Sequence, residues 1–500
     1  MRINIATFIK DQKNILMGTL LSVCVLIFFI PFATNGFWFD DVWNSQIFYT
    51  VNLYGEPLYD LSWKMTSHWF RQEGRPMLGF FIGNTLYYYI NDLLMVRLSH
   101  CLLVILNLFA FGKLMYMLKL PLNFILIFGL VFTSLLQIGS GGLNPVAAFS
   151  WLTQYLFFLL MLPLYFFIRF LDTDKLVFLY ASLVFWILSM TIYELNVIFI
   201  PIILTMLILN KKFIRSFMPV ALILIFLSAY LLFIFWARPS HDSIYTGIKF
   251  SFDFIKVLQA FFNQTLSTFP LISYIFNTQK DLPLNEVLNF LINNSYILLM
   301  AIFSYFSLSF FKDNLSNKIN YPKEIIVINL GLLFFPAIIS SLSLRYQNEI
   351  GLGEPHLTIY YQFFGLAFFL TLFFSKVKSK LFAKFIIIIF SLLFSFEFAV
   401  NYNMTLKRDE ITKIPYEKFL LQSKNGLFDD VVDGDILVTR GTPAFVTESF
   451  VFQGSGKKVF FIKGGDRFWF PDYKPGINPS YFELGFDDGA YSLKKIKKIK

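Results

Sequence analysis

The sequence predicts an all-α polytopic membrane protein of about eleven transmembrane helices, with interfacial helices in its first outer loop and a small C-terminal α+β outer domain. Three observations carry this prediction. Of 500 residues, 56% are hydrophobic and only 15% charged, whereas soluble domains carry about 25% charged residues. Apolar runs of roughly twenty residues, long enough to cross a bilayer, recur between residues 15 and 400. Basic residues gather in every second connection between those runs, as the positive-inside rule requires of cytoplasmic loops.

The first run, "ILMGTLLSVCVLIFFIPFA", holds no charge, is too long for a signal-peptide core and lacks a small-residue cleavage site. It reads as a retained span over residues 15–34. The later runs predict spans at 93–112, 121–138, 152–170, 176–193, 195–210, 217–236, 291–311, 324–343, 357–375 and 384–400. The basic connections are the N-terminus (Arg2, Lys10, Lys13), Lys113 with Lys119, Arg169 with Lys175, "NKKFIR", "KDNLSNKINYPK" and "SKVKSKLFAK". They place the N-terminus in the cytoplasm, and an odd number of spans leaves the C-terminus outside. The net charge of +10 is thereby a topology signal and not a nucleic-acid footprint. Residues 1–401 form the transmembrane domain. Residues 402–500 form a small extracytoplasmic domain, in which "GDILVTRGTPAFV" and "KKVFFIKGG" read as strands and "LKKIKKIK" as a solvated tail. Cys24 and Cys101 lie in apolar stretches and build no disulfide framework.

The outer connections hold the chemistry. Directly after the first span, "NGFWFDDVWNSQ" sets Asp40 and Asp41 among aromatic residues at the membrane surface. "VWNSQIFYTVNLYG" and "MLGFFIGNTLYYYI" read as helices along the interface, where Trp and Tyr settle. Between them, "HWFRQEGRPMLGFF" brings His68, Arg71, Glu73 and Arg75 near the acidic pair. A guanidinium presents a planar fork suited to phosphate, and a carboxylate can take the proton of an attacking sugar hydroxyl. Further on, Glu194 interrupts an apolar hairpin at its outer end, and "LRYQNEIGLGEPHL" gathers Arg345, Gln347, Glu349 and His356 in a bent loop. Structural roles compete with each of these. An Asp caps helices, arginines snorkel to headgroups, Trp151 and Tyr155 anchor belts, and Arg238 can end a helix. The four histidines, 68, 100, 241 and 356, show no ligand spacing, so no metal site is expected.

A first span followed at once by an outward Asp pair and interfacial helices resembles the GT-C membrane glycosyltransferases. "EGRPMLGFF" is similar to the Gly-Arg-Pro segment of the bacterial glucosyl transferase II group and related uncharacterised families. "LRYQNEIGLGEPHLTIYYQFFG", "NPVAAFSWLTQYLFF" and "MTIYELNVIF" are similar to later segments of such proteins. The resemblance spans most of residues 15–400. It implies a hexosyltransferase of the bacterial inner membrane, without cofactor, taking a sugar from a polyprenyl-phosphate donor to an envelope glycan or lipid acceptor such as O-antigen. Asp40 or Asp41 would be the catalytic base. Arg71, Arg75, Glu194, Arg345, Gln347, Glu349 and His356 would bind substrate. A lipid-linked glycan polymerase or ligase, or a lipid-linked saccharide flippase, are the alternatives.

Overall fold

The first apolar run folds as α1 (Ile5–Phe28), breaks at Phe29 and resumes as α2 (Ile30–Thr34). Pro31 sits in the first turn of α2, where its missing N–H costs no hydrogen bond. The computed structural model describes residues 5–36, 41, 44–73, 75, 77–138, 151–214, 216–237, 249–315, 319, 321–443, 446–462, 474–487 and 489–497.

Three short helices follow, α3 (Ile47–Tyr54), α4 (Leu58–Glu73) and α5 (Gly79–Tyr89). They pack together through Ile47, Leu61 and Tyr87, with Val96 beneath them. Two of the three fall on the expected interfacial segments. The third, α4, fills a stretch that periodicity alone leaves without an element. Two of the three residues in its buried stripe, Leu61, Ser62 and Thr66, are polar, so no apolar run marks it.

Asp92 caps α6 (Leu93–Met117) by accepting from the Met95 amide at 3.0 Å. The bundle continues through α7 (Leu122–Thr133), α8 (Leu152–Thr173), α9 (Leu176–Ile192), a 3-10 turn at Glu194–Ile198, α10 (Phe199–Leu209) and α11 (Phe217–Ala237). Three shorter helices come next, α12 (Phe254–Leu266), α13 (Pro270–Phe276) and α14 (Leu284–Asn293). Then come α15 (Ser295–Asp313), α16 (Lys323–Ser341), α17 (Leu344–Glu349), α18 (Ile359–Lys376) and α19 (Lys380–Ile411). Among the described residues, seven helices are long and apolar enough to cross a membrane: Leu16–Thr34, α6, α8, α15, α16, α18 and the run starting at Lys380. They mark the chain as a multi-pass membrane protein. Four shorter apolar helices, at Leu122–Thr133, Leu176–Ile192, Glu194–Leu209 and Phe217–Leu232, coincide with the other predicted spans.

Helix α18 lies at the centre, because every residue from Ile359 to Phe368 is buried. The Phe364 ring lies 4.0 Å from that of Phe157 in α8 and 4.3 Å from that of Phe132 in α7. Gly365 lets α18 approach α16 closely, since a Cβ there would sit 2.7 Å from the Asn329 carbonyl oxygen. The helix that holds the last predicted span continues past residue 400. Helix α19 runs 32 residues to Ile411, so the expected boundary at 401 lies inside a continuous helix. Asn401 ties it to the end of the α7 segment, accepting from the Ile138 amide at 2.6 Å and donating to the Leu136 carbonyl at 3.0 Å.

Past α19, helices α20 (Lys413–Gln422) and α21 (Glu448–Ser455) pack on a sheet of β1 (Ile436–Arg440), β2 (Phe460–Phe461), β3 (Tyr481–Asp487) and β4 (Ala490–Ile496). The strand order is β2-β1-β3-β4, with β1 parallel to both neighbours and β3 antiparallel to β4. Phe419, Leu437, Phe450, Phe461, Leu484 and Tyr491 form the core of this α+β unit. Part of the expected solvated tail is ordered, since Leu493–Ile496 belong to β4 while Lys494 and Lys495 stay exposed. The turn signal was an Asp-Gly pair, and Gly489 takes the positive φ of 73° that such a turn needs.

Candidate functional site

The structure divides the predicted polar constellation into two centres. The first surrounds Asp41, which is fully buried. Its Oδ2 lies 3.1 Å from Arg97 Nη1, and its Oδ1 accepts from the Tyr87 hydroxyl at 3.0 Å. Arg97 projects from the second turn of α6, itself buried, and closes the loop after α2. Its Nε donates to the Asn35 carbonyl at 3.3 Å and its Nη2 to the Gly36 carbonyl. One guanidinium thus satisfies a carboxylate and two backbone oxygens that water cannot reach, which is what makes the charge tolerable there. The Tyr87 ring stacks on Trp151 at 5.2 Å, and Trp151 Nε1 donates to Ser99 Oγ at 2.9 Å. The Asp40 position lies outside the described residues.

The second centre is a cavity of about 130 Å³ whose walls include Arg75, Thr153, Tyr193, Glu194, Tyr230, Tyr346 and His356. Arg75, Glu194 and His356 come from three different connections along the chain, and the fold brings them together. Arg75 is buried, forms an ion pair with Glu194, and faces the rings of Tyr193 (4.9 Å) and Trp69 (5.6 Å). The loop carrying it is held on the bundle where the Leu78 amide donates to the Thr191 carbonyl at 3.2 Å. His356 stacks against Tyr346 at 3.8 Å. Gln264 of α12 fixes its backbone, accepting from the His356 amide at 2.7 Å and donating to Thr358 Oγ1 at 3.0 Å. The Thr358 hydroxyl pairs in turn with Ser340 Oγ at 2.9 Å.

Burial, followed by the positive fields of Arg345 and Arg75, pushes the His356 imidazole down from 6.5 to about 3. In the unfolded chain an ordinary imidazole takes up its proton near pH 6.5. Between those values the unfolded state binds the extra proton, so this contribution to stability is fully present above pH 6.5 and is lost as pH falls toward 3. The thermal midpoint of the purified protein is therefore expected to drop between about pH 7 and about pH 5, and His356→Asn should flatten that drop. Identical slopes for the two proteins would remove His356 as its cause.

The remaining predicted residues make contacts mainly within and around their own loops, with Arg345 near enough to act on His356 through its charge. Arg345 and Glu349 form an i,i+4 pair at 2.7 Å, each about one-third exposed, an arrangement contributing about 0.3–0.5 kcal/mol. Gln347 staples the loop, its Nε2 donating to the Ser251 and Ser341 carbonyls at 2.8 Å each. Arg71 is exposed near the end of α4. Sequence reasoning overlooked Arg97 and Tyr87. The signal for Arg97 was present: a lone charge in "LLMVRLSHCLLVIL", and an ionisable residue inside an apolar span has to find a partner.

Comparison of the chain with protein-family models, with curated proteins and with solved structures finds no match. The fold and the two centres define a class on their own terms. This is a multi-pass helical membrane protein whose short helices after the first span hold a buried acid–guanidinium pair beside a second, guanidinium-lined cavity.

Proposed function

We propose that the chain is a GT-C-like membrane glycosyltransferase of eleven spans, the four short apolar helices crossing beside the seven long ones. It moves a hexose from a polyprenyl-phosphate donor to an envelope glycan or lipid acceptor at the outer face of the bacterial cell membrane. The observation supporting this most is the first turn of α8. Trp151 backs the Asp41–Arg97–Tyr87 cluster, while Leu152, Thr153 and Leu156 wall the Arg75 cavity. An acidic centre and a phosphate-compatible cavity thus share one helical turn.

In the proposed step the acceptor hydroxyl attacks the anomeric carbon of the donor sugar. Its proton passes to a carboxylate, the bond from that carbon to the phosphate oxygen breaks, and the phosphate leaves with the electron pair. Arg75, oriented by Glu194 and the two aromatic faces, would offset the charge growing on the phosphate. Asp41 already spends one oxygen on Tyr87 and the other on Arg97. The base role therefore falls to Asp40, with Asp41 holding the loop that carries it.

The test is reconstitution in liposomes with a labelled polyprenyl-phosphate hexose and an envelope-glycan acceptor. Labelled product is the expected result. Turnover of whole lipid-linked oligosaccharides alone would reassign the protein as a polymerase or ligase. Movement of lipid-linked sugar across the bilayer without transfer would make it a flippase.

A further inference from the structure

The acidic loop is fastened on both of its flanks, upstream by the far end of α19 and downstream by the C-terminal unit. Upstream of the Asp pair, the Gly36 amide donates to Asp409 Oδ1 at 2.9 Å. The approach is close enough that a Cβ on Gly36 would sit 2.5 Å from Thr412 Oγ1. Below that point, Thr405 Oγ1 donates to the Pro31 carbonyl at 3.0 Å. Downstream of the pair, Thr447 Oγ1 donates to Gln46 Oε1 at 2.6 Å, and Thr50 Oγ1 pairs with Ser449 Oγ at 2.8 Å. The Thr50 hydroxyl also donates to the Gln46 carbonyl at 3.0 Å, so Ser449 is the donor in the second pair.

All four of these downstream side chains are buried, with Thr447 and Ser449 at 1% and 0% exposure. Buried hydroxyls matched across two units define one position, because any slip leaves polar atoms without partners. Thr447 also caps α21, accepting from the Phe450 amide at 3.3 Å, so the helix and its contact to Gln46 are set together. On the bundle side, Arg97 holds the Asn35 and Gly36 carbonyls and Asp41. Gly36 and Asp41 are thus held by Arg97 of the bundle, Gly36 also by Asp409, and Gln46 by Thr447.

We propose that the C-terminal unit is a clamp that sets the acidic loop for transfer, with Thr447 and Ser449 as positioning residues. It is not an accessory module tethered by a linker. The catalytic half of this proposal rests on the transferase reading, whereas the structural half does not. The test uses the full chain in nanodiscs and compares wild type with the Thr447→Val, Ser449→Ala double variant and with Thr447→Ser. Hydrogen exchange in peptides covering 35–54 is expected to rise about tenfold in the double variant, as loss of buried hydrogen bonds would bring. Exchange in α8 and α9 should stay unchanged. Turnover should fall about tenfold while donor KM stays within about twofold, the signature of a lost transition-state arrangement. Thr447→Ser should keep both at wild-type values.

Unchanged exchange in 35–54, or a rise spread over the whole bundle, would overturn the clamp. Should wild type transfer no sugar while the local exchange result holds, the clamp stands and the transferase reading falls. If the hydroxyl deletions do not fold, Thr50→Cys with Ser449→Cys is the second arm. Oxidation should close a disulfide between them, and failure to cross-link would overturn the clamp.

Discussion

Arg97→Ala is expected to be the most destabilising single change in the bundle, costing about 3–5 kcal/mol, the range for removing one partner of a buried ion pair. The reason is the number of groups it strands. Asp41 loses its counter-charge, and the Asn35 and Gly36 carbonyls lose their donor, all in a place where water does not enter. Asp41→Asn should cost less. The amide keeps an oxygen for the Tyr87 hydroxyl, and Arg97 keeps its two backbone acceptors. Arg97→Lys should fall between the two, since an ammonium is a point charge that cannot reproduce the three-way fork. Removing both charges together, Asp41→Leu with Arg97→Met, should recover part of the loss, as replacement of a buried pair by apolar side chains often does. Thermal unfolding of the four variants in one detergent checks the order. A midpoint for Arg97→Ala equal to wild type would show that this pair does not hold the loop.

Asp40→Asn is expected to lower sugar transfer by about 10²–10⁴-fold, the usual contribution of a positioned general base, with no change in the unfolding midpoint. Asp41→Asn should lower transfer and midpoint together, because its carboxylate acts through the loop it anchors. The two neighbours thus give distinct signatures, one kinetic alone and one kinetic with a loss of stability. Full turnover by Asp40→Asn would exclude it as base. Loss of turnover by Asp41→Asn at an unchanged midpoint would pass the role to Asp41 itself.

Much of the candidate site was legible by residue type. Arg75 stands out as a phosphate-suited fork, Glu194 as an acid in an apolar hairpin and His356 as part of a polar loop, and all three line one cavity. Arg345, Gln347 and Glu349 belong to that same polar loop, yet their partners lie in or beside it. Composition cannot separate those two outcomes. A side chain's partner depends on which surface its loop folds against, and sequence separation carries no information about that. The pairings of Asp41 and Arg75 show this dependence. Arg97, one turn inside the next span, reaches Asp41 first, and Arg75 is drawn to Glu194.

What the chain's sequence determined alone is its relation to the membrane. Apolar runs near twenty residues without charges are long enough to cross a bilayer and are favourable there as helices. The aromatic and ionisable residues of the outer loops were likewise chosen locally, by the cost of placing them there. Only the tertiary structure decided the pairings: Asp41 with Arg97, Arg75 with Glu194, Gln46 with Thr447. Each joins segments distant along the chain, and burying a charge or hydroxyl is favourable only once the fold delivers its partner.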